Sequence, residues 1–172
     1  MIAFKACQKY VLLVLLLIFW SIVPVYIIAQ NPVPTAMVWL STDCPLSQKY
    51  TRTLSLLEQN YSDKSVQWKA IFVNEKIKSV KRFLEKYSLT MPYILDENKM
   101  ITTRYKATIT PEVVLVVDEK IVYRGAIDNQ VLALGKFADS ATAHYLQVAI
   151  DSILSGKIIA IPNTQAIGCI IQ

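Results

Sequence analysis

The chain has 172 residues, enough for one domain with appendages. It is 53% hydrophobic and 18% charged, and its net charge of +5 is spread along the chain rather than gathered in a basic run, which argues against a nucleic-acid partner. One histidine rules against a Cys/His metal centre, and four scattered glycines offer no phosphate-cradling loop, so no metal and no cofactor are expected.

From Val11 to Ala29 the chain is apolar apart from Ser21, Pro24 and Tyr26, and Lys5 and Lys9 precede this run. A positive flank followed by an apolar stretch marks a secretory signal or a membrane anchor. The stretch just reaches the roughly 20 residues that span a bilayer. The residues leave cleavage after Ala29 and retention both open. Retention is favoured, because Tyr26 or Ile27 stands where a cleavage site wants a small side chain. Residues 1–30 are therefore assigned to a signal peptide or transmembrane anchor and 31–35, with Asn31-Pro-Val-Pro34, to a stiff linker. The domain, 36–156, and an apolar tail, 157–172, are expected on the exported, periplasmic or cell-surface side. Cys44 and Cys169 then face an oxidising compartment, where disulfides persist.

Ala36 to Leu40 reads as a short core strand. Pro45 to Tyr61 reads as a helix, with Tyr50, Leu54, Leu57 and Tyr61 recurring every three or four residues. Val66 to Val73 ends in a continuous apolar run, as a buried parallel strand does. Ile77 to Tyr87 places Ile77, Val80, Phe83, Leu84 and Tyr87 on one helical face, and its lysines read as a solvated face. Tyr93 to Leu95 is a short extended piece, and Lys99 to Tyr105 a short helix. Glu112 to Val117 and Ile121 to Gly125 form a hairpin about Asp118-Glu-Lys120. A last helix runs from Ala143 to Leu154 and stops at Ser155-Gly156. The alternation predicts an α/β domain with a central mixed sheet flanked by helices.

Cys44 stands where the first strand gives way to the first helix. Unpaired N–H groups and the helix dipole favour thiolate there, and thiolate is the reactive form of sulfur. Lys49 and Arg52, one to two turns on, add positive potential. Ser47 occupies the position of the second thiol of a Cys-x-x-Cys motif, so no local dithiol cycle is available. Cys169 is the internal candidate for a resolving thiol. The tail from Gly156 extends up to roughly 40 Å, against a domain radius of gyration of about 14 Å, so Cys169 reaches Cys44. Pairing and an inert apolar tail both remain open on these grounds. The only histidine, His144, reads as a partly exposed helix residue.

Ser41-Thr-Asp-Cys-Pro-Leu-Ser47, Thr110-Pro-Glu-Val113, Tyr123-Arg-Gly-Ala-Ile-Asp128 and Ala166-Ile-Gly-Cys169 together resemble the thioredoxin-like superfamily. Within it they are most similar to bacterial redoxin-domain proteins of the alkyl hydroperoxide reductase/thiol-specific antioxidant (AhpC/TSA) type. The resemblance implies an exported thiol-dependent oxidoreductase, working as an antioxidant peroxidase or by thiol–disulfide exchange. It implies Cys44 and Cys169 as catalytic thiols and a substrate groove shaped by Thr110, Pro111, Ser41 and Ser47. Its partners would be peroxide or protein thiols and disulfides, with an external thiol as reductant. Against the peroxidase pattern Pro-x-x-x-Thr-x-x-Cys, Ser41 keeps a hydroxyl but Met37 replaces the proline, and Arg104 or Arg124 would supply the cation. A reading from another class is a binding module that holds a partner protein without catalysis.

Overall fold

The computed structural model describes residues 33–172. The expected signal or anchor helix over 1–30 and the first part of the linker lie outside the described residues. Among the described residues no helix is long and apolar enough to cross a membrane.

Strand β1 (Thr35–Leu40) leads into helix α1 (Pro45–Asn60), followed by β2 (Gln67–Val73) and α2 (Ile77–Lys86). Then come β3 (Tyr93–Asp96), α3 (Met100–Tyr105), β4 (Ile109–Thr110), β5 (Glu112–Val117) and β6 (Lys120–Gly125). A small hairpin, β7 (Val131–Ala133) and β8 (Lys136–Phe137), precedes α4 (Tyr145–Leu154), and β9 (Cys169–Ile170) closes the chain. The main sheet has the order β3-β2-β1-β5-β6. β1, β2 and β3 are parallel, and β5 runs antiparallel to both β1 and β6. This is the mixed sheet expected from the alternation of strands and helices, in the thioredoxin-like arrangement that the motif resemblance implies.

Alternation along the strands sends side chains to two apolar layers. Ala36, Val38 and Leu40 of β1, with Trp68, Ala70 and Phe72 of β2, pack under α1, α2 and α4. On the opposite face Trp39, Ile71, Val114 and Val116 meet Tyr105 and Ala107. Trp39 and Phe72 are fully buried, and each large apolar side chain buried this way stabilises the fold by about 1.5–3 kcal/mol. A polar chain crosses the second layer. Trp39 Nε1–H donates to Thr102 Oγ1 at 2.9 Å, and the Thr102 hydroxyl donates to Asp96 Oδ2 at 2.6 Å.

The predicted elements lie where expected, with ends that differ by a residue or two. The last helix begins at Tyr145 rather than Ala143, with an exposed His144 as its N-cap. Four short strands, β4, β7, β8 and β9, were not expected. Residues 157–172 pack with the domain in one compact unit. They run back along the β6 edge, where Arg124 and Asn163 form a parallel bridge, before β9 pairs antiparallel with β4.

Candidate active site

The centre of the site is the junction between β1 and α1. Cys44 is the N-cap residue of α1, with extended backbone (φ −82°, ψ 117°), and Pro45 follows inside the helix. Proline suits that position because its missing N–H would have had no intrahelical acceptor. The loop that delivers Cys44 is fastened from four sides. Cys44 N–H donates to Ser41 O at 3.3 Å, and Ser41 N–H donates to Ser47 Oγ at 3.1 Å. Gln48 Nε2 donates to Thr42 O at 2.9 Å, and Thr42 N–H donates to Glu75 Oε1 at 2.8 Å. Such ties hold a reactive side chain in place before a substrate arrives.

Cys44 is bonded to Cys169 in a disulfide that joins residues 125 apart, with Cα atoms separated by 6.1 Å. Cys44 is only 2% exposed, whereas Cys169 is half-buried. The Thr110–Pro111 peptide bond is cis, and Thr110 O lies 3.2 Å from Cys44 Sγ. On reduction, a Cys44 thiol would donate to that carbonyl. Thr110 also stands opposite Cys169 in the β4–β9 register, and its hydroxyl donates to Cys169 O at 3.5 Å. Cys44, Thr110, Pro111 and Cys169, read as site residues from sequence, are thus brought together.

Ser41 and Ser47 take different positions. Ser41 borders a cleft of about 610 Å³ that also touches Thr110, Cys169, Asn74, Glu75 and Gln172. Ser47 is fully buried and supports the loop through Ser41, so its hydroxyl does not face the cleft. Lys49 Nζ lies 4.6 Å over the Phe137 ring, directed at the β7–β8 hairpin. Arg124 Nη2 donates to Tyr105 O, and the exposed Arg104 lies 3.8 Å from Glu119. Both arginines considered for a peroxide pocket are therefore engaged with other groups.

Sequence reasoning passed over two features of the site. Glu75 holds the cysteine loop through one carboxylate oxygen, while its Oε2 is buried without a partner. A second cavity, of about 230 Å³, lies beside Pro111 between Tyr50, Asp128 and the tail residues Gln165 to Ile167. The Tyr50 hydroxyl donates to Asp128 Oδ1 at 2.5 Å at its edge. Burial, then this hydrogen bond, pushes the Tyr50 phenol well above its ordinary range. The spacing of Tyr50 and Asp128 in sequence carries no local signal of the pair. Among the described residues no cluster of His, Cys, Asp and Glu is suited to hold a metal ion.

A thioredoxin-like sheet, a cysteine at the N-cap of its first helix and a second cysteine bonded to it define a thiol-dependent oxidoreductase. The chain belongs to the Redoxin family, whose model matches residues 33–133. The AhpC/TSA-type resemblance seen in the motifs agrees with that membership. Cys169 lies beyond the matched segment. An uncharacterized conserved protein from Geobacillus kaustophilus is similar at 25% identity and a TM-score of 0.72, covering 83% of this chain and 78% of its own. A hypothetical protein from Sinorhizobium meliloti is similar at 24% identity and a TM-score of 0.69, covering 82% and 80%. A putative thiol:disulfide interchange protein DsbE from Chlorobium tepidum shares the fold at 14% identity and a TM-score of 0.57, covering 72% and 82%. No curated protein matches the chain.

Proposed function

We propose that the protein exchanges disulfides with partner proteins, with Cys44 as the attacking thiol and Cys169 as the resolving thiol. The observation that carries this reading is the Cys44–Cys169 bond at the N-cap of α1, against the Thr110 carbonyl. In the reduced protein, Cys44 thiolate attacks one sulfur of a partner disulfide. The partner's other sulfur leaves as thiolate and a mixed disulfide forms. Cys169 thiolate then attacks Cys44 Sγ and releases the partner's remaining sulfur as thiolate. The partner disulfide gains two electrons, the cysteine pair loses two, and an external thiol reductant restores the pair. Thr110, Pro111 and Ser41 border the groove in which the partner chain lies.

Exchange is preferred to peroxide reduction on two observations. Met37 stands where peroxidases carry proline, and Arg104 and Arg124 contact Glu119 and Tyr105 O. The thiol:disulfide interchange protein of the same fold is in keeping with exchange. The apolar Val11–Ala29 segment, preceded by Lys5 and Lys9, supports delivery of the domain to the oxidising side of a membrane, with that segment as signal or anchor.

The test is to offer the fully reduced chain a disulfide-bonded protein such as insulin, and separately hydrogen peroxide. Formation of the Cys44–Cys169 bond is followed by mass spectrometry after thiol blocking. Reduction of the protein disulfide in step with that bond, abolished in Cys44→Ser, is the expected result. Peroxide consumption without protein-disulfide reduction would move the assignment to a peroxidase.

A further inference from the structure

The C-terminal segment is held at two places in different ways. At Thr164 it is fastened to the sheet. Arg124 N–H donates to Pro162 O and Thr164 N–H donates to Arg124 O, each at 2.9 Å. The Thr164 hydroxyl lies 2.6 Å from the Tyr123 hydroxyl and accepts from Ala126 N–H at 2.9 Å. Beyond Thr164 the contacts change in kind. Residues 169–170 add a strand to β4, and Ile171 N–H donates to Thr108 O at 2.9 Å. Among the described residues β4 has no other partner strand. Main-chain pairing on a free strand edge is how an extended peptide from any source docks. The Ile170 side chain is 79% exposed, so it does little to define the occupant.

Gly168 does define it. A Cβ at this residue would run into the carbonyl oxygen and carbon of Thr110 and come within 3.2 Å of Pro111 N. Those atoms are backbone and cannot swing aside. The Gly168 φ lies outside the left-handed region, so space rather than backbone conformation demands glycine here.

We propose that the edge formed by Ile109, Thr110 and Pro111 is a docking groove for an extended polypeptide with glycine immediately before its reactive cysteine. Residues 165–171 are its resident occupant, so tail and partner exclude one another. This rests on the reading of Cys44 as the attacking thiol. A thiol reductant supplies two electrons and two protons to the Cys44–Cys169 bond, and the tail then pivots from Thr164. A partner cysteine in a disulfide takes the place of Cys169. Cys44 thiolate attacks that cysteine's Sγ, and the partner's second sulfur leaves as thiolate. The tail regains its register only as the partner backbone leaves, so Cys169 attack on Cys44 Sγ and expulsion of the partner thiolate are coupled.

The test uses the full chain carrying Cys7→Ser and Cys169→Ser, which leaves Cys44 as its one thiol. It is offered two peptides, Ile-Gly-Cys-Ile and Ile-Ala-Cys-Ile, each with its cysteine as a 2-pyridyl disulfide, and 2,2′-dithiodipyridine as a small control. Release of 2-thiopyridone reports attack by Cys44. The glycine peptide is expected to react about tenfold faster or more, the scale of a steric overlap with fixed backbone. In the Cys7→Ser chain, which keeps Cys44 and Cys169, Gly168→Ala is expected to slow closure of the Cys44–Cys169 bond by a similar factor while reaction with the small control is kept. Equal peptide rates with a reactive control would overturn the groove and leave the oxidoreductase reading standing. A Cys44 inert to all three probes would overturn both.

Discussion

Thr110 touches both halves of the redox pair. Its carbonyl lies 3.2 Å from Cys44 Sγ, and its backbone stands opposite Cys169 in the β4–β9 register. The bond between the two sulfurs therefore does more than report an oxidation state. It fixes the tail against the strand edge beside the first helix.

Stability should follow the bond. The disulfide closes a loop between residues 125 apart, and cross-links over long loops contribute about 2–5 kcal/mol. Urea unfolding of the oxidised chain is expected to show that loss on addition of dithiothreitol. Cys169→Ser should unfold at the reduced midpoint with or without dithiothreitol. Identical midpoints for oxidised and reduced wild type would mean that the tail contributes no constraint.

The Trp39–Thr102–Asp96 chain gives a second expectation. Burial raises the Asp96 carboxyl, but hydrogen bonds from the Thr102 hydroxyl and the N–H groups of Thr102, Ile101 and Met100 outweigh it and hold the group below its usual range. A depressed folded value means that the carboxylate's stabilisation is complete above about pH 4 and drains away as pH falls through that lower value. Thr102→Val removes the acceptor of Trp39 Nε1 and a donor to Asp96. It should cost about 1–3 kcal/mol at neutral pH, while Thr102→Ser should cost less. Chemical denaturation of both variants, at neutral pH and near pH 3, measures the effect and its loss on acidification.

Three tyrosines set the alkaline limit. Burial, then hydrogen bonds to Asp128 and Asp151, lifts Tyr50 and Tyr61 well above the ordinary phenol range. Burial pushes Tyr123 up to about 12. Groups raised in the folded state contribute stability that is full below the unfolded value of about 10 and lost as pH rises beyond it. Absorbance of phenolate at 295 nm, recorded with far-ultraviolet circular dichroism, should show part of the tyrosine titration delayed until the fold gives way. Tyr50→Phe should flatten the fall of stability above pH ~10.

Gly125 supports the tail from the other side. Its φ is +135°, and a Cβ there would strike the Thr164 backbone and hydroxyl. Gly125→Ala is expected to lower stability by about 1–3 kcal/mol and to slow closure of the Cys44–Cys169 bond after reoxidation. Stopped oxidation assays with thiol blocking measure the closure. Unchanged closure would show that the Thr164 fastening does not guide the tail.

Where local pattern determined structure, the sequence was readable. The strand-to-helix change around Cys44-Pro45 placed the thiol at a helix start, and the apolar run to Val117, followed by the Asp118-Glu-Lys120 turn, placed the hairpin. Long-range pairing left no such trace. β9 is two residues long, and nothing in Gly168-Cys-Ile170 signals a strand until β4 lies beside it. The β7–β8 hairpin was hidden because Val131 to Leu134 shows no alternation to separate it from a loop. Ser47 illustrates a subtler limit. The motif resemblance implied a groove contact for it, but one helical turn carries its hydroxyl beneath the loop, where Ser41 N–H claims it. Reach alone left the Cys44–Cys169 pairing undecided, because chain length says how far a tail extends and not where it settles.

The pairing of Cys44 with Cys169 also orders events during synthesis. The first strand and helix emerge from the ribosome long before the residues that complete the site. Until Cys169 is free of the ribosome, Cys44 lacks its resolving thiol and is open to whatever oxidant it meets. A chain cut short between Gly125 and Cys169 would keep all five strands of the main sheet and the Cys44 thiol, but not the means to resolve it.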